Sequence, residues 1–178
     1  LNLIELKNFN YEKIYKLMQN CEICINLVGI LYEKRSNEFN LIHSELPSML
    51  SNISKKLKLE KFIHISALGI ENAKDSKYAS SKLDGERKIR ENFQNSIILK
   101  PSIVYSIDDN FTTNFMTLLS RLPIMPLYYS GQTKFMPIHV SDLVEIIYYV
   151  IKDKKTNFTL ECVGPEIITF KEILLRIL

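Results

Sequence analysis

The chain has 178 residues, 46% of them hydrophobic and 24% charged, enough to bury a sizeable core, and its composition gives no sign of disorder. Its 23 basic and 20 acidic residues leave a net charge of +3 spread along the sequence, with a short cluster at Lys55, Lys56 and Lys58, so a nucleic-acid role has little electrostatic support. The longest apolar run, Ile23 to Tyr32, is too short to span a bilayer and contains Asn26, and no signal peptide is visible.

Leu1 to Leu6 reads as the end of a short strand and Tyr11 to Gln19 as a helix with apolar Ile14, Leu17 and Met18. Glu22 to Val28 is a near-continuous apolar run of strand length, as expected for a central parallel strand covered on both faces. Gly29 ends it, where a glycine lets backbone approach a ligand closely. Phe39 to Lys58 repeats apolar residues at helical spacing around an interior Pro47, which should kink the helix or mark a restart. Lys61 to Ser66 reads as a strand, the segment after Ser76 as a helix, and Ser96 to Val104 as a buried strand running into Pro101. Strand, helix, strand, helix, strand is the pattern of a doubly wound parallel sheet, an α/β fold of Rossmann-like type.

Beyond Tyr105, Asp108, Asp109 and Asn110 form a polar turn that caps a helix near Phe111 to Arg121, and Pro123 and Pro126 argue against regular structure in the loop that follows. Lys134 to Val140 reads as a strand, with Ser141 or Asp142 capping a helix from Leu143 to Ile151. A strand from Phe158 to Val163 follows, and Thr169 and Glu172 have the spacing of a capping box. The expected division is a dinucleotide-binding core over 1–105, and a mixed region over 106–178 that supplies a small α+β substrate lobe and returns elements to the core. The chain begins at Leu1 without methionine and stops at Leu178 within a helical pattern, which reads as a fragment at both ends.

The residues with chemical potential cluster around the third strand and its helix. Ser66 ends the strand, and Tyr78 and Lys82 lie one turn apart on the helix, so a phenol and an ammonium can face one cleft. Tyr78, Lys82, Gly85, Ile89 and Phe93 follow 4-3-4-4 steps and form one stripe, the predicted buried face. A fixed cation favours phenolate, and lowering a tyrosine by ~3 pKa units would take roughly 4 kcal/mol, which a lysine together with a cationic nicotinamide ring can supply. Such a tyrosine exchanges a proton with a substrate oxygen while hydride moves at the adjacent carbon, and Ser66 positions that oxygen. Tyr148 and Lys152 repeat the spacing in an apolar helix with no strand ending in serine ahead of them, and read as helix surface or packing.

Metal chemistry has weaker support. Cys21 and Cys24 make a Cys-x-x-Cys pair, but no second ligand pair follows and Cys24 falls in an apolar strand. An odd count of three cysteines without a disulfide framework fits a reducing compartment. His43, His64 and His139 have no metal-ligand spacing, and His64 and His139 read as satisfied core or edge residues.

Several segments in order, INLVGILYE from Ile25, EKFIHISALG from Glu60, SKYASSKLDGE from Ser76, ILKPSIVYSIDDNFTTNF from Ile98, KFMPIHVSDL from Lys134 and VGPEIITFKEIL from Val163, resemble the extended or atypical short-chain dehydrogenase/reductases. More narrowly they resemble the nucleotide-binding accessory subunits (alpha subcomplex subunit nine) of respiratory complex I and their alphaproteobacterial relatives. The resemblance implies Ser66, Tyr78 and Lys82 as the catalytic-type triad, with Lys82 also holding the nicotinamide ribose. It implies that Leu27, Val28 and Gly29 line the adenosine side, and that Pro101, Ser102 and Ile103 back the nicotinamide ring of a bound NADP(H) or NAD(H). The first strand and its Gly-rich turn are absent, roughly 50 to 60 residues by the size of a βαβ unit. Ser106 stands where relatives usually carry glycine after the Val-Tyr pair.

Three readings follow. The first is an NAD(P)H-binding protein serving complex I or quinone metabolism, on the cytoplasmic face of a bacterial inner membrane or the matrix side in a mitochondrion, with partners among complex I subunits. The second is an active reductase, dehydrogenase or epimerase on a small or lipid-like carbonyl or alcohol, with Tyr78 as acid/base. The third is an interaction or RNA-binding scaffold on the same fold.

Overall fold

The computed structural model describes residues 2–6, 8–107, 109–121 and 127–177. It divides into two compact units, Leu1–Leu99 with Lys154–Leu160, and Lys100–Asp153 with Glu161–Leu178.

The first unit is built on a four-stranded sheet, β1 (Ile23–Asn26), β2 (Lys61–Ile65), β3 (Ser96–Pro101) and β7 (Phe158–Cys162), in the order β1-β2-β3-β7. β1 and β2 run parallel with Ile23 opposite Lys61 and Asn26 opposite His64, and β2 and β3 run parallel from Phe62 opposite Ser96 to Ile65 opposite Leu99. Parallel neighbours need crossovers, which α2 (Glu38–Asn40), a π-helical turn (Leu41–Glu45), α3 (Leu46–Lys56) and α4 (Lys77–Asn92) provide. Ahead of the sheet, α1 (Tyr11–Met18) starts where the Asn10 side chain accepts the Lys13 amide at 3.0 Å.

Ile14, Met18, Ile53 and Leu59 form one apolar cluster, and Phe62, Ile89 and Phe93 another, with Cys24 and Leu50 packed against both. The two-residue period of a strand puts Phe62, His64 and Ser66 on the same face of β2, towards α4. Of the predicted α4 stripe, Lys82, Gly85, Ile89 and Phe93 are buried and Tyr78 half-buried.

Two strand expectations are not met. Residues 2–6 form no strand, and Leu3 and Ile4 are exposed. β1 is shorter than Glu22 to Val28 and lies at the edge of this sheet among the described residues, and Ile25, with Leu27 and Val28 just past the strand, is exposed rather than covered on both faces.

Pro47 does mark a restart. It sits in the first turn of α3, where a missing amide is tolerated, and the preceding turn widens to π geometry, with the Leu46 amide donating to the Leu41 carbonyl. Ser44 from this turn donates to Asp84 of α4 and accepts from Lys88 Nζ at 2.7 Å, tying the two helices together.

Arg90 closes the other side of the unit. Its guanidinium donates to the Ser96 carbonyl at 2.7 Å and hydroxyl at 3.1 Å, the Phe158 carbonyl at 2.7 Å, the Asn157 side chain at 3.1 Å and the Thr159 hydroxyl at 2.9 Å. A single planar fork thereby fixes α4, the start of β3 and the start of β7. Arg90→Ala is expected to cost about 2 kcal/mol in urea unfolding, because the buried Ser96 group is left unpaired while the exposed Asn157 and Thr159 recover water.

The second unit contains β4 (Val104–Tyr105), which pairs in parallel with β6 (Ile138–His139), and β5 (Lys134–Phe135), antiparallel to β8 (Ile168–Thr169). Pro137 splits the strand predicted over Lys134 to Val140, since it offers no amide to a ladder. α5 (Asn110–Arg121) is capped by Asp109, whose carboxylate accepts the Thr112 amide at 2.6 Å; Asp108, Pro123 and Pro126 lie outside the described residues. His139, not Ser141 or Asp142, caps α6 (Val140–Lys152), its Nδ1 accepting the Ser141 amide at 3.3 Å. The capping box of α7 (Phe170–Ile177) forms as predicted: the Glu172 amide donates to Thr169 Oγ1 at 3.2 Å and the Thr169 amide to Glu172 Oε2 at 2.6 Å. Among the described residues no helix is long and apolar enough to cross a membrane.

Candidate functional site

The carboxyl ends of β1 and β2 and the first turns of α4 converge on Lys82. Its Nζ is buried at 5% residue exposure, donates to the Ile65 carbonyl at 3.5 Å and lies 5.6 Å from the centre of the Tyr78 ring. A Cβ added to Gly29 would meet Lys82 Nζ at 3.8 Å and His43 Nε2 at 3.9 Å, so the strand-end glycine borders the ammonium without needing to be glycine for internal reasons. Leu27, Val28 and Gly29 are exposed around it.

Burial pulls Lys82 from its usual range down to about 8, against the charge of Glu86, which raises it. Tyr78 moves the other way from the sequence expectation. Burial raises its phenol above the ordinary value, and the lysine 5.6 Å from its ring does not reverse this in the protein alone. The ring is instead packed edge-on against Phe39, at 5.7 Å and 79°, and His43, at 5.2 Å and 86°.

His43, unassigned by sequence reading, is a hub. Its Nε2 accepts the Ile30 amide at 3.1 Å, which leaves the proton on Nδ1 to be donated to Ser81 Oγ at 3.0 Å; that hydroxyl in turn donates to the Tyr78 carbonyl at 2.8 Å. The chain of bonds ties the backbone just past Gly29 to the first turn of α4. Burial and the Lys82 charge hold the imidazole down at about 4, so it is neutral at pH 7.

His64 is only half satisfied. Asn26 Nδ2 donates to its Nδ1 at 3.1 Å, and Asn26 Oδ1 accepts the Val28 amide at 3.1 Å, while His64 Nε2 is buried without a partner. Burial first, then Lys82 and His43, depress it to about 3. The expectation of a satisfied core histidine therefore holds for one ring nitrogen only.

Ser66 follows β2 directly, its amide donating to the Leu99 carbonyl at 2.8 Å. The hydroxyl does not turn to Tyr78; it donates to the carboxylate of Glu86, one turn beyond Lys82 on α4. Glu86 was missed although the segment SKYASSKLDGE held the signal, since it is four residues past Lys82 and eight past Tyr78. The structure thus brings Ser66, Tyr78, Lys82 and Gly29 into one unit. Pro101, Ser102 and Ile103 belong to the other, where the Ser102 amide donates to the Cys162 carbonyl at 3.0 Å, Ser102 Oγ accepts the Met136 amide at 3.3 Å and the Ile103 carbonyl accepts the Ile138 amide at 2.9 Å.

Tyr148 and Lys152, the spacing control, are on the surface of α6: Tyr148 is 53% exposed and Lys152 Nζ lies 4.3 Å over its ring. Among the described residues, no group of three metal-ligating side chains occurs, and Cys24 is pushed up to about 12, chiefly by burial.

The chain is 30% identical over 164 residues to NADH dehydrogenase [ubiquinone] 1 alpha subcomplex subunit 9, mitochondrial, of Dictyostelium discoideum, covering 92% of this chain and 45% of that protein. The Mus musculus subunit of the same name is 29% identical over 86% of this chain and 41% of its own length. The chain is a homologue of these subunits. It spans less than half the length of the curated relatives it matches. A ceramide reductase of Caulobacter vibrioides is 25% identical over 71% of the chain and 39% of that enzyme. No family model matches.

Among solved structures, dTDP-4-dehydrorhamnose reductase from Bacillus anthracis in complex with NADP superposes with a TM-score of 0.77 at 17% identity, covering 94% of this chain and 66% of that one. UDP-glucuronic acid 4-epimerase from Bacillus cereus, in complex with UDP-glucuronic acid and NAD, gives 0.74 at 21%, covering 92% and 60%. The fold is accordingly a Rossmann-like parallel sheet flanked by helices, as in these two enzymes.

Proposed function

We propose that this chain belongs to an NAD(P)H-binding protein of the short-chain dehydrogenase/reductase type that serves NADH:ubiquinone oxidoreductase or quinone metabolism. It holds its nucleotide as a structural element at the inner face of the energy-transducing membrane, with little or no turnover. The observation that carries this reading is Lys82. A buried ammonium with one long hydrogen bond, to the Ile65 carbonyl at 3.5 Å, keeps donors for a further acceptor, and it borders Gly29 at the carboxyl edge of a parallel sheet, where open α/β sheets bind ligands. That donor set fits a ribose diol. In this assignment Lys82 holds the nicotinamide ribose, and Leu27, Val28 and Gly29 line the adenosine side. The bound cofactor supplies hydride chemistry that the side chains lack.

The homology to complex I subunits supports that assembly as the partner, and the NADP and NAD complexes of the structural neighbours support either dinucleotide. Titration of the intact protein with NADPH and NADH, read by calorimetry and by melting temperature, tests the reading. Micromolar affinity with a rise in melting temperature is expected, and its absence for both nucleotides overturns the proposal.

A second reading, an active reductase or epimerase, is favoured by the relative named a ceramide reductase and by the retention of Ser66, Tyr78 and Lys82. In that case Tyr78→Phe is expected to remove turnover by 10²-fold or more, as loss of a general acid does, while nucleotide affinity stays within about twofold. Unchanged turnover in Tyr78→Phe would rule out the acid/base role.

A further inference from the structure

Ser66 and Lys82 converge on a third residue that no sequence motif reading assigned. Glu86 accepts the Ser66 hydroxyl proton, and its charge acts directly on Lys82 one turn earlier on α4. We propose that Glu86 is a positioning residue of the nucleotide site, fixing the Ser66 hydroxyl so that its oxygen faces a ligand as an acceptor and keeping the Lys82 ammonium charged. The proposal rests on the nucleotide-binding reading above.

The ionisable groups around Lys82 leave few alternatives. From its own helix it faces Tyr78 and Glu86, from the π turn His43, and from β2 His64. Both imidazoles are held neutral, with burial the larger cause and the Lys82 charge the next, and burial keeps the Tyr78 phenol protonated. Within this set Glu86 is the carboxylate, and it is the group that raises Lys82 against burial. Arg90 also feels the Glu86 charge, yet its guanidinium is committed to Ser96 and to the start of β7. Without Glu86, burial alone would act on the ammonium, and the lysine would lose its proton at a lower pH.

The serine half has a chemical consequence. A hydroxyl has one proton, and if Ser66 gives it to Glu86 it has none for a substrate oxygen. The site is then arranged to accept a hydrogen bond from a sugar hydroxyl rather than to polarise a carbonyl, in keeping with a nucleotide that is held and not turned over.

The test is the titration of Lys82 in the ligand-free intact protein, followed through its Cε carbon by heteronuclear NMR with Lys82→Met as the assignment control. In Glu86→Gln the midpoint is expected to fall by about one pH unit, a tenfold change in proton affinity. NADPH affinity should then weaken about tenfold in that variant at pH 8.5 and less than twofold at pH 6.5, where the lysine stays charged in both proteins. A Lys82 midpoint that does not move overturns the proposal. If Glu86→Gln does not fold, Glu86→Asp, which withdraws the carboxylate by one methylene, should shift the midpoint in the same direction, and an unmoved midpoint there overturns it equally. The serine half is read in a crystal structure of Glu86→Ala, where Ser66 should occupy more than one rotamer; one unchanged rotamer refutes that half. Failure of the native protein to bind either nucleotide removes the nucleotide reading, whereas the NMR midpoint decides the role of Glu86 on its own.

Discussion

Gly85→Ala is expected to lower the stability of the protein by about 2 to 4 kcal/mol, a loss visible as a shift of the urea midpoint at constant slope. Two effects compete. Alanine in a helix interior gains about 1 kcal/mol of propensity over glycine. Against it, a Cβ at Gly85 would sit 1.9 Å from the His43 carbonyl oxygen and 3.4 Å from Pro47 Cγ, so the backbone of the π turn must retreat by more than an ångström. Backbone cannot step aside as a flexible side chain does, and the clash wins. The crowding has a cause in the sequence. Pro47 has no amide for the His43 carbonyl four residues earlier, and the turn that accommodates this presses the carbonyl onto α4. Because the His43 ring holds the Ile30 amide beside Gly29, the same substitution should also weaken the proposed nucleotide binding, roughly tenfold. A Gly85→Ala protein as stable as the parent would refute the close packing of the π turn on α4.

What could be read from the sequence was what local periodicity encodes. The α4 stripe from Lys82 to Phe93, the strand just ahead of Ser66, the α1 helix and the Thr169 and Glu172 capping box each follow from residues a turn or a pleat apart, and each formed within a residue of expectation. The failures have a different origin. Whether β1 is central or at an edge depends on what pairs with it, which an apolar run does not encode, and Ile25 turned out to be exposed. His43 reached the site through a π turn, whose extra residue shifts every later side chain by about 100° and defeats a count by 3.6. The Asn26 and His64 pair is a cross-strand contact between residues 38 apart, and no spacing rule joins them.

Tyr78 illustrates the limit of reasoning from pairs. Its neighbour Lys82 was expected to draw the phenol down, but a lysine 5.6 Å from the ring, itself lowered by burial and offset by Glu86, is a weak source of field, and desolvation decides the direction. Tyr148 and Lys152 have the same spacing and a shorter approach, 4.3 Å, yet sit on the surface. Spacing set which side chains could meet, and burial set what the meeting does.

Lys82→Met is expected to raise the stability of the ligand-free protein at pH 7 by up to about 3 kcal/mol while destroying the nucleotide binding proposed above. The ammonium is 5% exposed and titrates at about 8 instead of 10.5. Between those values the unfolded chain binds the proton and the folded chain does not, so stability rises with pH across that window. The penalty is fully present below pH 8 and is relieved as pH approaches 10.5. A shift of about 2.5 units corresponds to roughly 3 kcal/mol at 1.36 kcal/mol per unit. Methionine keeps an unbranched stem of similar length and removes the charge, so urea unfolding of the variant should be more stable at pH 7 and lose the rise between pH 8 and 10. NADPH affinity should fall by 10²-fold or more, the loss expected when a charged donor to a buried ligand is removed. If Lys82→Met is less stable than the parent at pH 7, the lysine contributes to packing or to hydrogen bonding more than its burial costs. If it binds nucleotide as well as the parent, Lys82 does not hold the ribose. Gain of stability with loss of binding is the signature of a charge kept in the protein for its ligand, at the expense of the fold.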